Sequence, residues 1–227
     1  MRALDSPDPR IDVLWGDLEA APGVAAKLAQ WLSADEKARA TRFGTEALRE
    51  RYVIGRGTLR AALARRLDVP PEAVALSRGR RGRPQLRDTP DLDFNVSHTD
   101  RVMLIAIARE TTVGVDVERA DRVVNTAGIA RRCLTAAEQR ALAGLDADAA
   151  RRRVLQLWTC KEAMSKATGD ALSAPFRRLD VALSSAPALV DGPAPYTPDA
   201  WTLHALPAPP AFFATLAVWT TTRVSSG

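Results

Sequence analysis

The chain has 227 residues, 46% apolar and 26% charged, enough to close the core of one large domain or two packed halves and too apolar for wholesale disorder. Its longest apolar run, Val102 to Ala108, is far short of a bilayer span, and Met1 to Pro7 lacks the apolar stretch of a secretory signal, so a cytoplasmic protein without a membrane partner is expected. The net charge of +5 favours anionic partners without choosing among them, while two cysteines, Cys133 and Cys160, and two histidines supply neither a disulfide framework nor a zinc site.

Ile11 to Trp15 alternates polar and apolar residues and reads as a strand. A helix follows over Val24 to Leu32, and Ser33-Ala34-Asp35-Glu36 is a capping box opening a short helix toward Phe43. Glu46 to Leu67 is periodic as a helix, with Leu48, Tyr52, Leu59, Leu63 and Leu67 available for a core face. Pro70-Pro71 ends that unit, and Arg78 to Pro84 reads as a basic Gly/Pro loop. Three strand-like runs come next, over 93–97, 102–109 and 113–118. Thr135 to Glu138 is a second capping box, and Ala147 to Thr168 reads as a long helix stopped by Gly169. Strand-like runs at 179–183, 201–206 and 212–219 follow, and the tail 224–227 is expected to fray. Runs of helix followed by runs of strand predict an α+β protein rather than alternating βαβ units.

Four segments carry residues suited to chemistry. In Gly114-Val115-Asp116-Val117-Glu118 the strand period puts Asp116 and Glu118 on one face and the valines on the other. Two adjacent carboxylates repel unless a cation or proton lies between them, although a bare pair of this kind is more often a solvated strand end. In Trp158 to Lys166 the helical period puts Glu162 and Lys166 on one face, where an ordinary surface ion pair is the bland alternative. Asn95-Val96-Ser97-His98-Thr99-Asp100 is a polar step directly after a strand, where His98 is equally able to cap a turn. The Arg78 to Pro84 loop, alone, is a solvated connector.

In this order and spacing the motifs resemble the 4′-phosphopantetheinyl transferase superfamily, in its monomeric surfactin-synthetase-activating (Sfp-type) branch. The likeness rests on Gly82-Arg83-Pro84, Phe94 to His98, Gly114 to Glu118 and Trp158 to Lys166, and covers residues 11–180. It implies two pseudo-symmetric halves, each a small antiparallel sheet packed with helices. Residues 1–112 would hold the nucleotide end of coenzyme A, and 113–227 the metal and the catalytic helix. The activity implied is of the holo-acyl-carrier-protein synthase type. It moves the 4′-phosphopantetheine of coenzyme A onto a serine of an apo acyl or peptidyl carrier protein and releases adenosine 3′,5′-bisphosphate.

By the same resemblance Asp116, Glu118 and Glu162 hold Mg²⁺ or Mn²⁺, hard cations that take carboxylate and phosphate oxygens. Glu162 takes the serine proton, directly or through water, and Lys166 assists the leaving oxygen. Lys161 and Lys166 flank the pyrophosphate, Ser97 and His98 meet the nucleotide end, and Arg51 and Arg83 act as cationic clamps, with Arg39 and Arg56 as weaker candidates. Glu36 falls where some relatives place a lysine, which puts that contact in doubt. The carrier is expected to dock near 120–134. A three-carboxylate nuclease is the rival enzyme, but the chain lacks the interleaved aromatic and basic residues of strand binding, so no nucleic-acid partner is expected. A non-catalytic binder of coenzyme A or of a carrier is the other alternative.

Overall fold

The computed structural model describes residues 1–220, and the tail 224–227 lies outside the described residues. In chain order the elements are β1 (Arg2–Leu4), β2 (Ile11–Asp17), α1 (Val24–Ala29), α2 (Ala34–Ala40), α3 (Glu46–Leu67), β3 (Leu76–Arg78), β4 (Pro84–Leu86), β5 (Leu92–Thr99), β6 (Val102–Arg109), β7 (Thr112–Arg119), α4 (Thr126–Cys133), α5 (Ala136–Arg140), α6 (Ala147–Thr168), β8 (Asp180–Leu183), β9 (Pro187–Asp191), β10 (Trp201–Ala205) and β11 (Phe212–Trp219). The expected α+β architecture of two halves is present. One sheet has the order β1-β2-β6-β5, the other β10-β11-β7, and β3–β4 and β8–β9 form two-stranded ribbons. Every pairing is antiparallel.

The strand period sorts the core. Leu104, Ala106 and Ala108 of β6 face the second sheet and pack with Val113, Val115 and Val117 of β7 and Leu216 and Val218 of β11. Their neighbours Met103, Ile105 and Ile107 point the other way, onto Leu59 and Leu63 of α3. On the outer side of the second sheet, Trp201, Leu203 and Ala217 pack with Leu157, Ala163 and Met164 of α6. Two 22-residue helices therefore flank two sheets that face each other.

Local signals account for the helix ends. The Ser33 and Thr135 capping boxes both close, each with its hydroxyl taking the N–H of the third residue and that residue's carboxylate returning to the cap. Gly169, at φ 75°, stops α6 in the left-handed region that glycine adopts freely. One core assignment is corrected: Leu48 sits in the exposed first turn of α3 and is 47% accessible, whereas Leu59 and Leu63 are sealed. The segment 78–84 is shorter as a loop than expected, because its ends pair as β3 and β4.

The two sheets also meet along the edges of β5 and β7, and there side chains replace a backbone ladder. Asp93 Oδ2, Asn95 Oδ1 and Ser97 Oγ accept the N–H groups of Val113, Val115 and Val117. Each bond joins residue i of β5 to i+20 of β7, so alternate β5 residues satisfy an edge that would otherwise leave buried donors unpaired.

Candidate active site

Asp116 and Glu118 leave β7 on the face opposite the buried valines, and both are buried rather than solvated. That face meets α6, and Gly114 sets how closely. A Cβ on Gly114 would lie 1.9 Å from the Ala163 carbonyl oxygen and 2.7 Å from the Ala167 nitrogen. The bare backbone lets α6 settle directly on the strand, which brings Glu162 and Lys166 to the carboxylates.

Lys166 does not pair with Glu162 across a helix turn. Its ammonium donates to Asp116 Oδ1 at 2.6 Å and to Ser97 Oγ at 2.8 Å. The Ser97 hydroxyl in turn donates to the same Asp116 oxygen at 2.9 Å. The other oxygen, Asp116 Oδ2, is buried with no hydrogen-bond partner, and so is Glu162 Oε1. Glu118 differs: its Oε1 accepts from the Arg122 guanidinium, and its Oε2 has a long contact of 3.5 Å from Thr99 Oγ1.

Burial pushes the Glu162 carboxyl up to about 7, and the Asp116 charge pushes the same way; Lys166 opposes them and Glu118 adds a smaller push. Glu118 is also raised, by burial first and Asp116 second, with Arg122 opposing. The three carboxylates thus sense one another across one pocket. Two orphaned, buried oxygens beside an ammonium fit a small, hard divalent cation, which takes carboxylate oxygens. Among the described residues no three acidic, histidine or cysteine side chains stand together as a preformed cage, since Lys166 holds Asp116 and Arg122 holds Glu118.

On the other side of β5 lies a cleft of about 1,070 Å³ between that strand and α3, with Arg39, Arg51, Arg78, Arg87 and His98 on its walls. His98 adjoins Ser97 in sequence but points to the opposite face, so β5 carries one wall of each site. Its imidazole is held below its usual value by desolvation first and by the Lys166 charge second. Arg51 reaches Glu19 at 2.9 Å. Arg39 lies over the Tyr52 ring at 5.8 Å, and Tyr52 packs on Phe43 at 5.1 Å, which gives the cleft an aromatic floor.

Two expected phosphate ligands are placed elsewhere. Lys161 is 0% accessible and points away from the carboxylates; its ammonium donates to the Cys133 and Phe176 carbonyls and at 2.5 Å to Glu138. One residue before Glu162, it falls on the core side of the helix. Arg83 is a staple: Nε donates to the Lys166 carbonyl, both Nη groups grip Asp93, and Nη2 also reaches the Phe94 and Val113 carbonyls. It fixes the end of α6 to β5 and β7 and leaves little donor capacity for a phosphate. Arg56 lines the cleft, but Glu36 takes it together with Arg60, so the acid at that position pairs with two arginines. Two residues escaped the sequence reading: Arg78, whose loop was noted but not its direction, and Arg122, which no spacing rule connects to a strand carboxylate.

With this geometry in view, the comparisons are informative. Residues 112–207 match a family model described as the 4′-phosphopantetheinyl transferase superfamily, and residues 22–110 match one described as 4′-phosphopantetheinyl transferase, N-terminal. The chain is similar to the 4′-phosphopantetheinyl transferase HetI of Nostoc sp., 36% identical over 160 residues that cover 69% of this chain and 67% of that protein. It is 26% identical to the 4′-phosphopantetheinyl transferase Sfp of Bacillus subtilis over 153 residues, 67% of each chain. An L-aminoadipate-semialdehyde dehydrogenase-phosphopantetheinyl transferase of Xenopus laevis is 26% identical over 173 residues, covering 69% of this chain and 57% of the relative.

Proposed function

The chain belongs to the 4′-phosphopantetheinyl transferase superfamily, and we propose that it transfers the 4′-phosphopantetheine of coenzyme A to a serine of an apo acyl or peptidyl carrier protein, releasing adenosine 3′,5′-bisphosphate. One observation carries the reading: Asp116 Oδ2 and Glu162 Oε1 are buried without partners beside the Lys166 ammonium, one strand residue from an arginine-lined cleft large enough for a nucleotide.

Asp116, Glu118 and Glu162 are the residues to hold Mg²⁺ or Mn²⁺. Such an ion, when bound, neutralises pyrophosphate charge and the charge that develops as its bridge opens. The rest falls to the chain itself. The first half, 1–112, supplies the cleft, where Arg39, Arg51 and Arg78 offer guanidinium forks to phosphate and His98 offers a ring donor. The second half, 113–227, supplies the carboxylates and α6. Glu162 accepts the proton of the carrier serine, directly or through one water. Lys166, fixed by Asp116 and Ser97, stands ready to donate to the leaving oxygen.

We read the enzyme as a cytoplasmic monomer. No helix among the described residues is long and apolar enough to cross a membrane, and both halves of one chain contribute to the site.

The test is incubation with coenzyme A, Mg²⁺ and a panel of apo carrier proteins. A mass gain of one phosphopantetheine on the carrier serine is expected, and its absence across the panel would refute the assignment. A gain that survives a chelator would refute the metal. Glu162→Gln is expected to lose transfer and to keep coenzyme A binding, because the cleft residues are untouched.

A further inference from the structure

The three carboxylates are not equally available. Asp116 and Glu162 each present a buried oxygen with no partner, whereas neither oxygen of Glu118 is orphaned. Its Oε1 is occupied by the Arg122 guanidinium. The Arg122 side chain is 50% accessible and that of Glu118 only 10%, so the cation covers the carboxylate from the solvent side.

The backbone beneath Arg122 is anchored. The Arg151 guanidinium donates to the carbonyls of Ala120 and Arg122, Ala120 donates to the Ala211 carbonyl, and Arg122 closes a turn onto Arg119. Beyond it the chain faces water, with Val123 94% accessible. Rotation of the Arg122 side chain away from Glu118 therefore breaks one part-buried ion pair and leaves the anchored backbone in place.

Resting on the metal site proposed above, we propose that Arg122 is a resident counter-ion for Glu118, which a divalent cation must displace, and that it thereby sets the metal affinity of the site. The guanidinium and a divalent cation draw on the same carboxylate and repel each other, so each weakens the other's hold on Glu118. When the guanidinium leaves, Glu118 joins the two oxygens already free. In the metal-free protein the same guanidinium compensates a buried carboxylate that would otherwise be unpaired.

The prediction is thermodynamic and needs no turnover. Mn²⁺ binding, followed through the paramagnetic resonance of the free ion, is compared for the parent, Arg122→Gln, Arg122→Lys and Glu118→Gln. A partly exposed pair of this kind is worth enough that Arg122→Gln should bind Mn²⁺ roughly two- to five-fold more tightly. Arg122→Lys should fall between the two, keeping the charge but not the fork. Adding Arg122→Gln to Glu118→Gln should change nothing, because the partner is already gone. Equal affinity in the parent and in a folded Arg122→Gln protein would overturn this inference and leave the metal site standing. Mn²⁺ binding by neither protein would overturn both.

Discussion

Gly114→Ala is the most searching single substitution. The added Cβ would sit 1.9 Å from the Ala163 carbonyl oxygen, where 3.0 Å is about the least that real Cβ atoms tolerate, so α6 must retreat from β7 by roughly 1.1 Å. Both obstructing atoms belong to the helix backbone, which no rotamer change can clear. Overpacking of this kind costs about 3 kcal/mol, toward the upper end of the usual range. For a chain of 227 residues that corresponds to a fall in Tm of roughly 6–12 °C. The same retreat would stretch the 2.6 Å contact between Lys166 and Asp116 to about 3.7 Å, beyond hydrogen-bonding range. A displacement of about 1 Å at reacting groups costs on the order of 100-fold in rate. Calorimetry and carrier-loading kinetics measure the two effects independently. A variant that melts within about 2 °C of the parent and loads carrier within twofold of its rate would refute both the packing argument and the role assigned to the α6 register.

Lys161→Met should destabilise the fold by about 3–5 kcal/mol, because Glu138 stays buried without its cation; replacing Glu138 as well should restore part of the loss in chemical denaturation. Arg83→Met should lower stability by about 1–3 kcal/mol yet leave coenzyme A affinity within about twofold by calorimetric titration, whereas a phosphate clamp would lose affinity. Cys160 is 2% accessible with its thiol pushed up to about 12 by burial, and Cys133 is raised for the same reason, so a thiol reagent should leave the native protein unmodified at pH 8 and label both after denaturation. Burial holds His204 below its usual 6.5, which makes the unfolded chain the better proton acceptor; its stabilising contribution is full above that value and is lost as pH falls through the folded-state value. His204→Gln should therefore melt with a shallower decline than the parent between pH 7.5 and 5.5, and parallel declines would count against the half-buried neutral imidazole.

Much of the fold was legible because it follows from period and punctuation. The Ser33 and Thr135 boxes, the Glu46 to Leu67 helix and the stop at Gly169 all depend on neighbours within one turn, and each stands where the sequence placed it. Asp116 and Glu118 were assigned a common face by strand period, and they share one. What period cannot supply is the third dimension. Glu162 and Lys166 share a helical face, which suggested a pair between them, but Gly114 admits the helix so closely that Lys166 finds Asp116 instead. Lys161 and Arg83 illustrate the limit of charge as a guide. The resemblance placed both cations on phosphate, yet one is rotated into the core and the other is consumed by Asp93 and three carbonyls.

The β5–β7 seam explains why the site had to be built from both halves. A lone β7 edge would expose the N–H groups of Val113, Val115 and Val117 to a dry interface, and Asp93, Asn95 and Ser97 meet them at a constant offset. That offset gives the polar face of β5 two tasks in one register, holding the sheets together and, at Ser97, locking the Asp116–Lys166 contact. The opposite face of the same strand carries His98 into the cleft. The cleft and the carboxylate pocket are thus joined through a single strand. Ser97→Ala should reveal it: the Val117 N–H loses its acceptor, Lys166 loses one of two contacts, and about 1–3 kcal/mol of stability goes with them. Transfer should slow more than coenzyme A binding weakens, since the cleft wall keeps its own packing. A fall in affinity matching the fall in rate would place Ser97 on the nucleotide rather than on Lys166.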